Sequence, residues 1–401
     1  MRIGLIREDK IPLDRRVAIA PESARAINEN VEGLEIICQS SPHRCFPDQE
    51  YVEAGIRVVD DVSECDILLG VKEVPVDKLI PEKTYFFFSH TIKAQEYNRH
   101  LLRTILSKKI TLIDYECLTN QSGNRLLAFG RYAGIVGAYN TIWAFGQRYR
   151  LYDISRAKDC FDLRQLKLEY QKVQLPPVKI AITGGGRVAK GAMEVLNGLN
   201  LRRLSPEEFL NKEFSEPTYV QLNTRDYHTH KQGHPFSRAT FFAAPENYQS
   251  SFLNYAAQAD ILIAGAYWDP RAPRLFESKD VLKPDFKIKV IGDITCDIEG
   301  SIPSTKQAST IEQPLYDYNP SDDKVEMALS DEANITVMSI DNLPGELPRD
   351  ASLDFGKDFI ENVLPSLTGS GNPEIITHAT ITTDGVLTDK YSYLQNFVAG
   401  D

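Results

Sequence analysis

The sequence is short of the features that mark secreted, metal-binding or membrane proteins. Its six cysteines are scattered without a CxxC pair, at positions 38, 45, 65, 117, 160 and 296. We therefore expect reduced thiols in the cytosol rather than a disulfide framework or a zinc site. No stretch approaches the roughly 20 apolar residues of a membrane helix. The opening MRIGLIRE carries no basic-then-apolar leader, so we expect a cytoplasmic protein whose folded structure begins at once.

Basic charge is also scarce. The chain has 45 Lys and Arg against 56 Asp and Glu, a formal net charge of −11. This balance disfavours nucleic acid and anionic membranes as partners and leaves small molecules as the expected ligands. A length of 401 residues exceeds what one hydrophobic core supports, so two domains are predicted.

Short apolar runs alternate with helical patterns in the first third of the chain. Strands are predicted at 3–6, 34–38, 67–71, 85–88 and 110–113, and helices at 21–28 and 95–108. This alternation is typical of a mostly parallel sheet covered by helices on both faces. The apolar segment 133–149 predicts a buried connecting helix, a candidate hinge between two lobes.

The same alternation resumes in the second half. Strands are predicted at 178–182, 218–222, 260–265, 287–294 and 334–340, followed by a helix at 355–364 and a hairpin in ITTDGVLT. We expect this tail to pack on the first domain. The prediction is an α/β protein of two Rossmann-like domains with parallel sheets around an interdomain cleft. Residues 1–130 plus 345–401 would bind substrate, and 131–344 would bind a dinucleotide.

A glycine-rich loop supports the second assignment. The strand at 178–182 runs into Gly184-Gly185-Gly186-Arg187-Val188-Ala189, and a helix follows. In this G-x-G-x-x-A pattern Gly184 permits the tight turn, Gly186 lets the backbone approach a pyrophosphate, and Ala189 allows close packing. The helix N-terminus favours the phosphates electrostatically. The alternative is a glycine turn without a ligand, but the strand before and the helix after favour a dinucleotide.

The end of the next strand leaves the choice of cofactor open. An acid there usually holds the adenosine ribose of NAD, but Asn223 stands at this position, with Arg225 two residues later. An amide would not repel a 2′-phosphate, and an arginine could pair with it. A solvated arginine in an NAD enzyme is the alternative, so NAD and NADP both remain candidates.

Polar residues follow three strands of the first domain, where open α/β sheets bind ligands. Arg16 follows the first strand, Lys72 the strand at 67–71, and His90 the strand at 85–88. Partial desolvation at such positions would suit Lys72 and His90 to proton transfer near neutral pH. Each also has a purely structural interpretation, as an edge lysine and a core histidine. The HTHKQGH stretch has no acidic or cysteine companion at a typical spacing, so we predict a solvated loop and no metal.

Several longer segments resemble one enzyme family over nearly the whole chain. They are DRRVAIAP, GVKEVP, FFFSHTIKAQEYN, ITLIDYECL, RLLAFGRYAGIVGAYN, GGGRVAKGA, ILIAGAYWDP, GDITCDIEGSIPST and IDNLPGELPRDAS. The chain resembles the saccharopine dehydrogenase and lysine–2-oxoglutarate reductase family, which is related to alanine dehydrogenase. Its end also leads us to expect no second enzyme of the kind fused in bifunctional relatives.

The resemblance implies a role for each matching residue. Lys72 and His90 would be the general acid–base pair, and Arg16 and Arg125 would bind substrate carboxylates. The remaining substrate contacts would be Glu73, Lys93, Gln95 and Glu116. On the cofactor side, Asp297 would lie near the nicotinamide ribose, and the nicotinamide end would be contacted by Asp341, Asn342 and Leu343. The acid that NAD-using members carry at the second strand is replaced by Asn223.

The function that follows is an NAD(P)-dependent oxidoreductase acting on the secondary amine of saccharopine, which links L-lysine and 2-oxoglutarate. Hydride transfer and several proton transfers would be needed, and two groups suit these better than one. The alternatives are an amino-acid dehydrogenase of the alanine dehydrogenase type and an opine-type reductase with another amine donor. A catalytically silent nucleotide-binding module is the alternative from another class. Whether the protein forms a homo-oligomer is left open.

Overall fold

The computed structural model of the chain describes residues 1–400 and divides into two compact units. Unit 1 consists of Met1–Phe129 together with the segment from Pro348 onward, and unit 2 consists of Gly130–Leu347. Each unit carries its own sheet and its own site residues, and the two are described separately.

The first 129 residues alternate short strands with helices. The strands are β1 (Arg2–Leu5), β2 (Glu35–Gln39), β3 (Arg57–Val59), β4 (Ile67–Leu69), β5 (Thr84–Phe87) and β6 (Thr111–Asp114). The helices are α1 (Pro21–Asn30), α2 (Asp48–Glu53) and α3 (Arg99–Ser107). In α3 the buried residues Leu101, Leu102 and Ile105 recur at helical spacing, which explains why this segment packs one face on the sheet.

Unit 2 begins with a long helix and continues as a second alternating series. Its helices are α4 (Gly130–Tyr149), α5 (Leu163–Glu169), α6 (Arg187–Gly198), α7 (Pro206–Asn211), α8 (Thr224–Tyr227), α9 (Arg238–Ala243) and α10 (Leu253–Ala256). Its strands are β7 (Lys179–Thr183), β8 (Arg202–Leu204), β9 (Thr218–Leu222), β10 (His228–His230), β11 (Tyr248–Ser250), β12 (Ile261–Ala264), β13 (Val290–Asp293), β14 (Leu315–Asn319), β15 (Lys324–Glu326) and β16 (Ile335–Met338).

The C-terminal segment returns to unit 1. It forms the helices α11 (Pro348–Asn362), α12 (Leu364–Leu367), α13 (Glu374–Ala379) and α14 (Gln395–Ala399), and the hairpin strands β17 (Thr380–Thr383) and β18 (Val386–Leu387). Strand β17 pairs antiparallel with β6, so the tail extends the first sheet. The hairpin predicted in ITTDGVLT is confirmed.

The sheet of unit 1 has the order β18-β17-β6-β5-β4-β1-β2-β3 within residues 1–400. The strands from β6 to β3 pair in parallel. The chain first builds outward from β1 to β2 and β3, and then crosses to β4, β5 and β6 on the other side. The topological switch point, at which the strand order reverses direction, therefore lies between β1 and β4. Open α/β sheets bind ligands at this point.

The sheet of unit 2 follows the same plan, with the order β15-β14-β16-β13-β12-β7-β9-β8 in the described residues. Strands β8 to β16 in this order pair in parallel, and the switch lies between β7 and β12. Strand β14 is antiparallel to β16, and β15 to β14. The predicted α/β class with Rossmann-like parallel sheets is confirmed, and the antiparallel edge strands are an addition that the sequence reasoning missed.

Helix α4 packs on α6 through positions that lack a side chain. A Cβ on Gly134 would lie 1.9 Å from the backbone oxygen of Val188, and one on Gly191 would lie 2.0 Å from that of Arg131. Because α6 begins at the glycine-rich loop, this close crossing fixes the helix that would face the phosphates. The apolar segment predicted as a buried helix thus forms part of the framework of unit 2.

The prediction for HTHKQGH was wrong in one respect. His228 is buried in β10, its Nδ1 lies 3.1 Å from the carbonyl oxygen of Thr224, and burial lowers its pKa.

Among residues 1–400, no three His, Cys, Asp or Glu side chains are grouped to hold a metal ion. No helix of the same range combines the length and apolar character that a bilayer-spanning segment requires.

Candidate active site

Four adjacent strands of unit 1 bring the predicted substrate residues to one edge of the sheet. In the order β1, β4, β5 and β6, the loops that follow them carry Arg16, Lys72, His90 and Glu116. These strands are parallel, so their carboxyl ends meet at the same edge. Residues distant in sequence therefore gather along one edge of the sheet, Arg16 on the β1 side of the topological switch and the other three on the β4 side.

His90 is held by a buried carboxylate. Its Nδ1 lies 2.8 Å from Oε1 of Glu73, whose Oε2 accepts a hydrogen bond of 2.5 Å from Nζ of Lys10. Burial alone would raise the pKa of Glu73, but the hydrogen bonds from His90 and Lys10 outweigh it and lower the pKa to about 2. Glu73 is therefore ionised at neutral pH. It orients the imidazole so that Nε2 lies on the opposite edge of the ring from Glu73.

The backbone around His90 is also fixed by a buried acid. His90 has a φ of 54°, in the left-handed region that is uncommon for residues with a side chain. The preceding Ser89 donates to Asp114 from its backbone N–H at 3.0 Å and from its hydroxyl at 2.5 Å. Asp114 also accepts the N–H of Glu116 at 2.7 Å. Burial raises the pKa of Asp114, and these hydrogen bonds oppose the shift.

Lys72 follows β4 and is half-buried. Its backbone N–H donates to Oε2 of Glu8 at 2.9 Å, and that of Val71 donates to Oε1 at 2.6 Å. Burial raises the pKa of Glu8 to about 8, against the effect of these two N–H groups; nearby Asp14 raises it and Arg16 lowers it. The sequence reasoning gave Glu8 no role.

Arg16 is buried and already engaged. Its Nε donates to Oδ1 of Asp14 at 2.9 Å, and Nη2 donates to Oδ2 at 2.5 Å. The guanidinium carbon lies 4.1 Å from the ring centroid of Phe129. This two-pronged pair fixes the orientation of the arginine and offsets part of its charge. A substrate carboxylate at Arg16 would meet a partly neutralised cation.

Glu116 lies close to two half-exposed cationic side chains, those of Arg125 and Lys93. Its Oε1 pairs with Nη2 of Arg125 and lies 4.0 Å from Nζ of Lys93, whereas within residues 1–400 its buried Oε2 has no hydrogen-bond partner. The Arg125 and Lys93 side chains are 52% and 50% exposed, so both can reach solvent or a ligand. Gln95 is exposed near the same loop. This group offers both cationic and anionic contacts to a zwitterion.

The glycine-rich loop of unit 2 has the geometry that a dinucleotide needs. Gly184 has a φ of 102°, and a Cβ there would lie 3.0 Å from the backbone oxygen of Gly265. A Cβ on Gly186 would meet nothing within 4 Å, so the loop is open on that side. Helix α6 begins at Arg187, with half-buried Val188 packed near Gly265 and Ala189 fully buried. The loop and the first turn of α6 therefore fit a pyrophosphate.

The residues at the end of β9 form a hydrogen-bonded series. Arg203 donates to Oε1 of Gln221 at 3.0 Å, and Nε2 of Gln221 donates to the carbonyl oxygen of Gly184 at 2.8 Å and to Oδ1 of Asn223 at 3.1 Å. The Arg225 side chain is 71% exposed, with Nε 3.7 Å from Oδ1 of Asp226. Asp226 accepts the N–H of Asn223 at 2.7 Å through its other oxygen.

The remaining predicted cofactor contacts follow β13 and β16. Asp297 and Asp341 are exposed and Asn342 is half-buried. Leu343 is 2% exposed and packs over Gly137 of α4, which indicates a packing role for its side chain. Nearby, burial raises the pKa of the Cys296 thiol to about 12, which disfavours the thiolate at neutral pH.

Residues that the sequence reasoning missed share one signal. Glu8 lies three residues beyond β1, Ser89 two beyond β5, and Asp114 is the last residue of β6. Each is a polar residue at the carboxyl end of a buried parallel strand, the same position that pointed to Lys72 and His90. The sequence could have nominated them, but not their partners.

Several known proteins are similar to this chain. Residues 4–136 match the family described as alanine dehydrogenase/PNT, N-terminal domain. Mitochondrial alpha-aminoadipic semialdehyde synthase of Mus musculus is 32% identical over 98% of this chain and 47% of its own length. The corresponding values for the Arabidopsis thaliana synthase are 30%, 98% and 41%. The chain thus spans about half the length of these synthases.

A relative of similar length is the saccharopine dehydrogenase (NAD(+), L-lysine-forming) of Yarrowia lipolytica, which is 27% identical over 90% of both chains. Among solved structures, an L-alanine dehydrogenase superposes with a TM-score of 0.63 at 19% identity, covering 100% of this chain and 99% of that one. A transhydrogenase from Sinorhizobium meliloti gives 0.60 at 17% identity, covering 97% and 99%. At these sequence identities the two structures show only that the fold is similar.

Proposed function

We propose that the chain, a homologue of the alpha-aminoadipic semialdehyde synthases and the saccharopine dehydrogenases, is an NAD(P)-dependent oxidoreductase acting on the secondary amine of saccharopine. It would interconvert that amine with L-lysine and 2-oxoglutarate. The observation that carries the proposal is that Lys72, Glu73 and His90 lie on the loops after the adjacent strands β4 and β5, with Glu73 paired to His90, on a chain whose second sheet bears a glycine-rich loop.

The proton transfers fall to Lys72 and His90. Oxidation of a secondary amine leaves an imine, water adds to give a carbinolamine, and the C–N bond then breaks, so protons must move on nitrogen and oxygen. A lysine and a histidine on adjacent loops can share these transfers. Glu73 holds Nδ1 of His90 at 2.8 Å and so presents Nε2 for the exchange. The bound nicotinamide would accept or supply the hydride.

Substrate recognition fits an amino acid joined to a dicarboxylate. Arg125 and Lys93 would contact carboxylates, and the unpartnered Oε2 of buried Glu116 would accept a hydrogen bond from an ammonium group. Arg16, oriented by Asp14, would hold a further carboxylate. Gln95, two residues after Lys93, would contact the same substrate. Pyruvate with ammonia, the substrates of an alanine dehydrogenase, would leave most of these contacts unused.

We also propose that the chain prefers NADP(H). The end of β9 presents Asn223 where an acid would repel a 2′-phosphate, and Arg203 and Arg225 supply two exposed guanidinium groups beside it. The nearest acid, Asp226, is engaged with the Asn223 backbone. The phosphates would lie at Gly184, Gly186 and the α6 N-terminus, and Asp297, Asp341 and Asn342 would approach the nicotinamide end.

The proposal predicts that Lys72→Met and His90→Gln each lower kcat by about 10²–10⁴-fold, the usual contribution of a general acid or base. The assay follows oxidation of NADPH or NADH with L-lysine and 2-oxoglutarate. Cofactor affinity, measured by calorimetry, should stay within about threefold of the wild type, since neither residue lies on the dinucleotide unit.

Lys78→Met and His100→Gln are the matched controls, because both residues are exposed and lie on unit 1. Their kcat should equal that of the wild type. Full activity in both the Lys72 and the His90 variant would contradict the mechanism. Turnover of pyruvate with ammonia instead would favour the alanine dehydrogenase type, turnover with another amine would favour an opine-type reductase, and cofactor binding without turnover would favour a silent module.

A further inference from the structure

The backbone after β4 depends on a side chain for two of its hydrogen bonds. Up to Gly70 the sheet supplies the partners, since the N–H of Ile6 donates to the carbonyl oxygen of Leu69 and that of Gly70 to Phe86. The next two N–H groups, of Val71 and Lys72, donate to the two oxygens of Glu8 instead. A buried N–H without an acceptor is costly, so the Glu8 carboxyl group completes the strand end.

Glu8 reaches this position from the neighbouring strand. It lies three residues beyond β1, which pairs directly with β4, so its side chain bridges the two loops on either side of the topological switch. Gly70 leaves the room for it, because a Cβ there would lie 3.3 Å from Oε1 of Glu8 and 2.8 Å from Ile6. The same β1 loop also carries Lys10 to Glu73 and positions Arg16 beside Asp14.

We propose that Glu8 is a positioning residue for Lys72. Its carboxyl group clamps the N–H groups of residues 71 and 72 and thereby sets where the Lys72 side chain leaves the backbone. The inference rests on the proposed function, in which the Lys72 ammonium transfers protons. A displacement of about 1 Å in a reacting group can lower a rate by about 10²-fold, so a clamp on the Lys72 backbone has a kinetic consequence.

Glu8→Gln tests the clamp with almost no change in shape. The amide keeps one acceptor oxygen but turns an NH₂ group towards the second N–H, so one of the two hydrogen bonds is lost. We expect kcat with L-lysine, 2-oxoglutarate and NADPH to fall by about 10–100-fold, with KM values within about threefold of wild type. Glu8→Asp keeps both carboxyl oxygens on a shorter side chain and should retain an intermediate kcat.

Hydrogen exchange of the peptide that covers residues 70–74 supplies a readout that needs no turnover. The N–H groups of Val71 and Lys72 should exchange faster in Glu8→Gln than in the wild type. Glu29→Gln, an exposed acid on α1, should match the wild type in kcat and in exchange.

Wild-type exchange together with wild-type kcat in Glu8→Gln would overturn the inference. So would a loss of activity that matches the unfolded fraction and leaves the kcat of the folded enzyme unchanged. If the wild type itself fails to turn over, the proposed function fails and the exchange of residues 71 and 72 alone decides whether the clamp exists. If Glu8→Gln does not fold, kcat and hydrogen exchange are both measured on Glu8→Asp instead.

Discussion

At the scale of single residues, the candidate site of unit 1 is built on carboxyl groups that are buried or half-buried. Glu73 contacts both His90 and Lys10. Asp114 accepts hydrogen bonds from the backbone N–H groups of Ser89 and Glu116. Glu8 accepts a hydrogen bond from the backbone N–H of Lys72. Burial disfavours the charged form of all three, but only in Glu73 do the partners outweigh it. The difference follows from the partners, since Glu73 faces a lysine and an imidazole whereas the others accept from backbone and hydroxyl groups.

Glu73 links this network to pH. Its pKa is about 2 in the folded chain, below the ordinary value of 4.5, so its stabilising effect is complete above about pH 4.5 and is lost as the pH falls towards 2. Glu73→Gln should therefore lower the free energy of unfolding by about 1–3 kcal/mol at pH 7. The gap to the wild type should narrow between pH 4.5 and 2 in denaturant titrations. Glu29→Gln should show no gap, and a constant gap across this range would contradict the assignment.

At the scale of elements, unit 2 depends on how closely α4 approaches α6. Two glycines let the helices cross with backbone against backbone, and Gly130 at the start of α4 lies beside Arg187, where a Cβ would come within 3.3 Å of the arginine Cβ. Helix α4 also lies close over β13, because a Cβ on Gly292 would overlap the hydroxyl of Thr141. The helix that would bind the pyrophosphate is therefore positioned by a long buried helix as well as by its own strand.

Gly191→Ala tests that crossing. A methyl group 2.0 Å from the Arg131 carbonyl oxygen must push the helices apart. We expect a net loss of about 1–3 kcal/mol in the free energy of unfolding, although alanine is the better helix former by about 1 kcal/mol. Weaker cofactor binding should accompany the loss. Lys190→Ala, at the exposed neighbouring position, should change stability by less than about 0.5 kcal/mol. A variant as stable as the wild type would refute the close crossing.

At the scale of the whole molecule, each α/β unit carries its candidate residues at the carboxyl edge of its own parallel sheet. Unit 1 gathers charged groups that suit proton transfer and carboxylate binding, and unit 2 gathers a glycine loop and two exposed arginines. The proposed function assigns substrate chemistry to unit 1 and cofactor binding to unit 2. A cofactor that binds the folded chain but not the unfolded chain stabilises the folded state by mass action.

NADP⁺ should accordingly raise the melting temperature by several degrees at about 100 times its Kd, where the linkage amounts to about 2.7 kcal/mol. NAD⁺ at the same concentration should raise it less. Asn223→Asp and Arg225→Ala should each reduce the shift with NADP⁺ more than that with NAD⁺, because the 2′-phosphate meets a new negative charge or loses a positive one. Arg202→Ala is the control on the same strand as Arg203. Equal shifts for both cofactors in the wild type would contradict the preference.

Local patterns were enough to predict most of the elements. The strand at 218–222 agrees with β9 at both ends, and the other predicted strands agree with the structure within a few residues. Strands β3 and β15 were missed because Arg57–Val59 and Lys324–Glu326 are only three residues long, and β14 was missed because the polar Asp317 interrupts its apolar run. Such edge strands are stabilised by the neighbour they pair with, which lies far away in sequence.

The sequence by itself determined the α/β class, the dinucleotide loop and the candidate residues at strand ends, because these depend on side-chain periodicity and on the backbone freedom of glycine, both local properties. Only the tertiary structure decided which side chains are in contact. It paired Arg16 with Asp14 and Arg125 with Glu116, and it placed the Glu8 carboxyl group against the backbone N–H of Lys72. Parallel strands that are neighbours in space are separated by whole crossover segments in the chain, so hydrogen bonds between their loops leave no trace in local sequence.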